Sequence, residues 1–287
     1  MEDDLAHPLK PYDKLIINVA LTGMVPTKKD SPFVPTTVDE IIEDAIKCAS
    51  VGASILHIHA RDSDEAPTYK AEAYAEIIEG IRSKCPDVII CVTTSGRTYG
   101  EFEKRSEVLE LRDHVKPDMA SLTLGSINFP DQTSINEPET ILRLAKKMKS
   151  VGIKPELEVF DTGMINTARY LYRKGVIEPP FYFNILFGSI YATQARMSDL
   201  CYLVSQLPQG SIWAGAGIGI FQLIINSASV IMGGNVRTGI EDNIWYDHEK
   251  TELTTNVKTI QRVCEIAAII GREIATPSET RKMLGFV

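Results

Sequence analysis

The sequence predicts an α/β fold, a single (β/α)8 TIM barrel with a short C-terminal helical tail. Three observations lead there. Eight short β-branched or apolar runs alternate with amphipathic stretches of helical period. First-to-last spacing gives a mean step of roughly 31 residues, about one strand–helix unit. The length of 287 residues suits one closed barrel, which takes about 250 residues as one domain. The rival, a six-stranded open sheet with an added subdomain, is disfavoured by the unit count. The expected organisation is one domain over residues 1–287. Residues 1–13 form an N-terminal extension and 276–287 the tail.

The elements follow in order. The first strand is expected over Lys14–Ala20. Thr37 and Glu40 have capping-box spacing and open a helix carried by Ile41, Ile42, Ala45, Ile46 and Ala49, with Gly52 past its end. Strands over Ser54–His59, Asp87–Thr93 and Asp118–Leu124 come next. Val88 to Val92 is apolar throughout, as in parallel strands covered on both faces. Asn136-Glu137-Pro138-Glu139 opens the fourth helix with acid in its first turn, and Gly152 follows its end. The last strands are expected over Lys154–Val159, Phe181–Leu186, Ser211–Ala216 and Asn235–Thr238. Thr276-Pro277-Ser278-Glu279 caps a short final helix.

Composition narrows the classes. Charged residues are 24% and hydrophobic residues 44%, which excludes a disordered chain or a disulfide scaffold. The net charge of −8 argues against nucleic acid as a partner, though not against small anions met by a local field. Cys48, Cys85, Cys91, Cys201 and Cys264 are scattered, with no C-x-x-C, so neither a disulfide framework nor a cysteine zinc knot is expected. A cytoplasmic protein is the expectation. Met1 to Tyr12 does not read as a signal peptide, and no membrane-spanning run is seen.

In a barrel, catalytic residues sit at the C-terminal ends of the strands. The second strand ends Leu56-His57-Ile58-His59-Ala60-Arg61-Asp62. Alternation puts His57 and His59 on one face, where both can reach one divalent metal. The eighth unit runs Arg237-Thr238-Gly239-Ile240-Glu241-Asp242. Glu241 would complete a two-histidine, one-carboxylate set, an arrangement known for zinc and for non-haem iron; nickel and manganese also stay open. The plainer reading is that Glu241 and Asp242 cap the last helix. On the fifth strand Glu156 and Glu158 share a face; Glu158, nearer the mouth, is the active-site candidate and a possible ion-pair partner of Arg237. Thr93-Thr94-Ser95-Gly96 and Ser121-Leu122-Thr123 bring hydroxyls to two other strand ends. Gly215, Gly217 and Gly219 lack dinucleotide-fingerprint spacing but leave room for a phosphate at a helix start.

Read together, several stretches follow one another in register: Ala20-Leu21-Thr22-Gly23, Gly52 to Arg61, Thr94-Ser95-Gly96, Ile127-Asn128-Phe129, Pro155 to Glu158, Gly215 to Gly219 and Gly234 to Asn243. From Leu15 to Ala275 the chain resembles the β-keto acid cleavage enzymes. The pairing of H-x-H with a late R-x-G-x-E-D is what makes the resemblance specific. It implies a TIM barrel with one catalytic Zn2+ per subunit and acetyl-CoA as co-substrate. A β-keto acid and acetyl-CoA would be converted reversibly to acetoacetate and a new acyl-CoA, by Claisen and retro-Claisen steps. Carried over by position, His57, His59 and Glu241 would hold the zinc. Asp242 would be the general base, with Arg237 and Glu158 in its network. Thr93, Gly96 and Ser121 would contact substrate; the family often has Ser and Thr at the first and last of these, and both exchanges keep a hydroxyl. A homo-oligomer, dimer or tetramer, is also implied. Members that cleave an aminohexanoate place an acid where this chain has Val25, so a substrate with a neutral or otherwise recognised distal end is expected here.

Two other readings compete with this one. Amidohydrolase-type barrels carry H-x-H on the first strand and further histidines on the fifth and sixth, but Lys154–Asp161 and Phe181–Gly188 contain none. Another metal-dependent barrel lyase or aldolase working without CoA stays open. A non-catalytic ligand-binding relative would have no need of Asp242, Arg237 and Glu158 beside the three ligands.

Overall fold

The computed structural model describes residues 12–286. His7 and most of the expected N-terminal extension lie outside the described residues, as does Val287. Eight parallel strands close into a barrel: β1 (Ile17–Ala20), β2 (Ile55–Ile58), β3 (Ile89–Val92), β4 (Met119–Thr123), β5 (Lys154–Val159), β6 (Phe181–Phe187), β7 (Ser211–Gly217) and β8 (Asn235–Thr238). Each pairs with its sequence neighbours, and β8 closes on β1 with Asn18 opposite Arg237. The open-sheet rival is thereby excluded.

The helices fill the outer ring: α1 (Val38–Ser50), α2 (Ala71–Arg82), α3 (Phe102–Ser106), α4 (Pro138–Val151), α5 (Thr162–Arg173), α6 (Met197–Ser205), α7 (Gln222–Ile231) and α8 (Asn256–Ile269). The capping box of Thr37 and Glu40 is formed at α1. Gly152 ends α4 at φ +66°, in the left-handed region that a C′ glycine takes at least strain. The third unit departs from the regular pattern. Its helix α3 spans five residues and continues as 3-10 turns over Glu107–Glu110 and Asp113–Val115, which bury Val108 and Leu109. A small antiparallel hairpin, Ile127–Asn128 with Thr133–Ser134, follows β4 and was not expected from the sequence.

Strand alternation sorts the barrel into two environments. Outward residues such as Val19, Leu56, Ile58, Ile90 and Val92 join the core between strands and helices. Inside, at the N-terminal end, Ile16, Ile55, Ile89, Met119, Tyr182 and Ala214 form a separate apolar plug. The tail completes it. The last helix, α9 (Pro277–Met283), has its own capping box of Thr276 and Glu279, and Leu284 beyond it is fully buried in the plug. The barrel is thus closed with apolar side chains at its N-terminal end and polar at the other. No described helix is long and apolar enough to cross a membrane.

Candidate active site

Three strands bring the site together. β1 alone stands between β2 and β8, and it carries Ala20 opposite His57. That small inward residue leaves space for side chains from both neighbours to meet. Beyond Ala20, Gly23 takes φ +67°, and a Cβ there would lie 2.5 Å from Glu241 Cγ. Only glycine admits Glu241 at this distance in that conformation. The turn after β8 is held by backbone bonds from Glu241 N–H to Ala20 and from Asn243 N–H to Gly239. Asn256 on α8 fastens both turns, accepting from Ile240 N–H and donating to the Leu21 carbonyl. The plainer reading of Glu241 and Asp242 as helix caps does not hold: α8 is capped by Thr255, which accepts from Lys258 N–H.

The ligand atoms converge. His57 Nε2 and His59 Nε2 are 3.1 Å apart, and Glu241 carboxylate oxygens lie 3.4 Å from His59 Nε2 and 3.9 Å from His57 Nε2. Glu241 Oε2 is buried without a hydrogen-bond partner. His57 Nδ1 is 2.7 Å from Glu156 Oε2. Burial opposes ionisation of Glu156, but His57 and Arg237 hold its carboxyl down at about 2. An ionised carboxylate only accepts. The proton therefore sits on Nδ1, and neutral His57 turns the Nε2 lone pair toward His59 and Glu241. This carboxylate–histidine arrangement is how proteins orient a metal ligand. Burial pushes His59 down, toward the neutral form that ligates; burial acts likewise on His57, but Glu156 and Glu241 outweigh it and draw it up. A metal at His57 would thus compete with a proton.

The charge count points the same way. Arg237 is 2% exposed and lies within 4.0 Å of four carboxylates. Its guanidinium binds Asp242 through Nε at 3.0 Å and Nη2 at 3.2 Å, Glu241 at 2.9 Å and Glu158 at 3.3 Å. One guanidinium leaves this buried cluster with an excess of negative charge. Burial raises the Asp242 carboxyl above the usual aspartate range despite Arg237, and raises Glu158 likewise. Glu241 stays well below its ordinary value: burial opposes this, but His59 and Arg237 prevail. Two imidazole nitrogens, a carboxylate and surplus negative charge fit a divalent metal. A second trio, His57, Cys91 and Glu156, also lies close together. There the His57 Nδ1 is already engaged by Glu156, and burial holds the Cys91 thiol well above its ordinary value, so this trio reads as support.

His59, Glu241, Asp242, Arg237 and Glu158 line a cavity of about 290 Å³. Thr93 and Val25 line it too, as the sequence led us to expect. Gly96 and Ser121 do not. Ser121 is buried one step below; its Oγ accepts from Thr94 N–H while Thr94 Oγ1 donates to the Ser121 carbonyl. A side chain at Gly96 would strike the Ile135 carbonyl at 2.5 Å and Arg105 Nη1 at 2.7 Å, so this glycine seats the Arg105 clamp. The hydroxyl at the fourth strand's mouth belongs instead to Thr123, which donates to Glu158 at 2.6 Å. The sequence reading also passed over Asn18, which donates to Glu156 at 2.6 Å, and Arg97 on the cavity wall. As for the Gly-rich run, Cβ atoms at Gly215 and Gly217 would strike Ser229 Oγ at 2.0 Å and the Phe221 carbonyl at 2.3 Å. Close packing of α7 on β7 accounts for those two glycines.

Fold and site together define a TIM barrel with a candidate two-histidine, one-carboxylate metal centre at the C-terminal mouth. A sequence profile of the beta-keto acid cleavage enzymes matches residues 14–286, and the chain belongs to that family. It is 40% identical to 3-keto-5-aminohexanoate cleavage enzyme of Fusobacterium nucleatum over 95% of this chain and 98% of that one. It is 37% identical to 3-oxoadipate:acetyl-CoA acetyltransferase of Cupriavidus necator over 94% of each. Among solved structures, apo ObcA superposes with a TM-score of 0.79 at 20% identity, over 89% of this chain and 66% of that longer one. That likeness carries the fold alone.

Proposed function

We propose that the protein condenses a β-keto acid with acetyl-CoA and releases acetoacetate and a new acyl-CoA. The observation that carries this is one cavity lined by His59, Glu241 and the Arg237-held Asp242, with His57 Nε2 directly behind at 3.1 Å from His59 Nε2. The names of the two curated relatives support it. Asp242 takes the proton from the α-carbon of the keto acid; its raised pKa brings it nearer the strength a base needs at neutral pH. A bond forms between that carbon and the acetyl carbonyl as the CoA thiolate leaves. The thiolate then adds to the original keto carbon, and the bond to the α-carbon breaks. Asp242 returns the proton to acetoacetate. Arg237 fixes the Asp242 carboxylate through two of its nitrogens, and Thr123 and Arg237 fix Glu158. Thr93 offers its hydroxyl to substrate from the cavity wall, while Gly96 and Ser121 act from behind it.

A homo-oligomer belongs to the same proposal, supported by Leu223, Ile224, Ile231 and Ile269, apolar side chains left exposed on α7 and α8. So does a cytoplasmic setting, supported by five unpaired cysteines. The deciding assay is acetoacetate formation by the zinc-loaded protein from acetyl-CoA and a panel of β-keto acids. Acetoacetate from none of them overturns the reading. The metal assignment has its own check. His59→Ala and Glu241→Ala should each lose bound metal by elemental analysis, and stoichiometric metal in both would show that the ligands lie elsewhere.

A further inference from the structure

Among the described residues, Arg97 is the one cation lining this cavity outside the Arg237 network. It follows β3, and its guanidinium carbon stands 4.2 Å above the centroid of the Phe129 ring. Stacking of this kind holds a guanidinium flat and ordered. Its Nε is buried and has no hydrogen-bond partner. Among the described residues no carboxylate lies within 4.0 Å of it. Asp131 lines the same cavity but is exposed to water, and its charge reaches Arg97 only at longer range. Burial lowers the Arg97 pKa, and the charges of Asp131 and Glu241 offset this only in part. Val25 lines the same cavity with an apolar side chain. An ordered, half-buried guanidinium with unused donors is a receptor for a planar anion.

We propose that Arg97 binds a second, distal carboxylate of the substrate, so that this protein prefers β-keto dicarboxylic acids. The inference rests on the functional reading above. Arg97 shares one cavity with Glu241 and Asp242, so a single small molecule spans both ends. The keto acid carboxylate lies near the metal centre and its far carboxylate meets the Arg97 fork. Val25 packs against the methylenes between them. An ammonium at the far end would meet a like charge.

The test compares kcat/KM for 3-oxoadipate and for 3-oxohexanoate, its neutral match in chain length, in wild type, Arg97→Leu and Arg97→Lys. Wild type should favour the dicarboxylate. In Arg97→Leu the dicarboxylate-to-neutral ratio should fall by about 30- to 100-fold, as for a lost charge-assisted pair. Arg97→Lys should restore part of it, because it keeps the charge without the fork. Val25→Glu, which adds an anion to the same wall, should lower the ratio too. A wild-type preference for the neutral or an amino-substituted keto acid overturns the proposal. So does a rise in KM for acetyl-CoA common to both keto acids, which would place a CoA phosphate at Arg97. A binding arm stands apart from turnover: calorimetry of adipate and hexanoate on the metal-loaded protein. Tighter adipate binding that is lost in Arg97→Leu supports the proposal, and equal binding overturns it, whether or not any keto acid is turned over. Acetoacetate from 3-oxohexanoate together with equal binding would leave the functional reading standing while this inference falls.

Discussion

Asp242→Asn is expected to lower kcat/KM by about 10²- to 10⁴-fold, the usual contribution of a positioned general base, while metal content stays stoichiometric. The substitution keeps the shape of the side chain and an oxygen for Arg237 to bind. It removes the electron pair that takes the α-proton. A direct readout is deuterium exchange at the α-carbon of the keto acid in heavy water without acetyl-CoA. Wild type should exchange it faster than buffer, and the variant should not. The pH profile carries the same argument. The base works only when deprotonated, so activity rises with pH through the pKa of Asp242. Burial raises that pKa, which moves the acid limb of the wild-type profile above the range of an exposed aspartate. Wild-type kcat/KM and exchange rates in Asp242→Asn would remove it from this role.

Much of this site was legible in the sequence because strand parity is a strong constraint. Once His57 and His59 stand on one strand, alternation puts both on the same face, and barrel closure decides that this face is inward. Parity gives the face of a residue but not its height. The stagger between strands sets height, and it follows only from closure of the whole barrel. That is why the run Ser121-Leu122-Thr123 does not by itself tell which hydroxyl reaches the cavity. The register pairs Ser121 with Glu156 and Thr123 with Glu158, so the hydroxyl and the acid two residues further along reach the mouth together. Parity with chain direction does place Glu158 nearer the mouth than Glu156, and Glu158 lines the cavity; that the deeper Glu156 orients His57 follows only from the stagger between β2 and β5. The hairpin at residues 127–134 escaped for another reason. Two-residue strands are too short for any period to show, and Asn128-Phe129-Pro130-Asp131 reads as an ordinary loop. With that hairpin unseen, the Phe129 ring beneath Arg97 had no place in the sequence reading.

Arg237→Met should be the most damaging single change to stability, at about 3–5 kcal/mol, because it leaves buried carboxylates without their counter-charge. Asp242, Glu241 and Glu158 each lose a hydrogen bond to it, and Glu156 loses a charge 4.0 Å away. Arg237→Lys should recover only a part, since a point charge cannot serve Asp242 through two nitrogens while also reaching Glu241 and Glu158. The defect should depend on pH with a definite sign. In wild type Glu156 and Glu241 ionise below their ordinary values, so their contribution is present above the unfolded carboxylate range and is lost as pH falls. Without Arg237 the buried carboxyls bind protons more readily in the folded than in the unfolded state, and protonation relieves the variant. The gap between wild type and Arg237→Met should therefore narrow as pH falls from neutrality toward about 4. Bound metal should narrow it as well, because it supplies positive charge to the same carboxylates. Denaturant unfolding of both proteins across that range, with and without metal, reads the effect. A gap that is small at neutral pH, or that keeps its size as the carboxylates protonate, would mean that Arg237 does not carry the charge balance of this site.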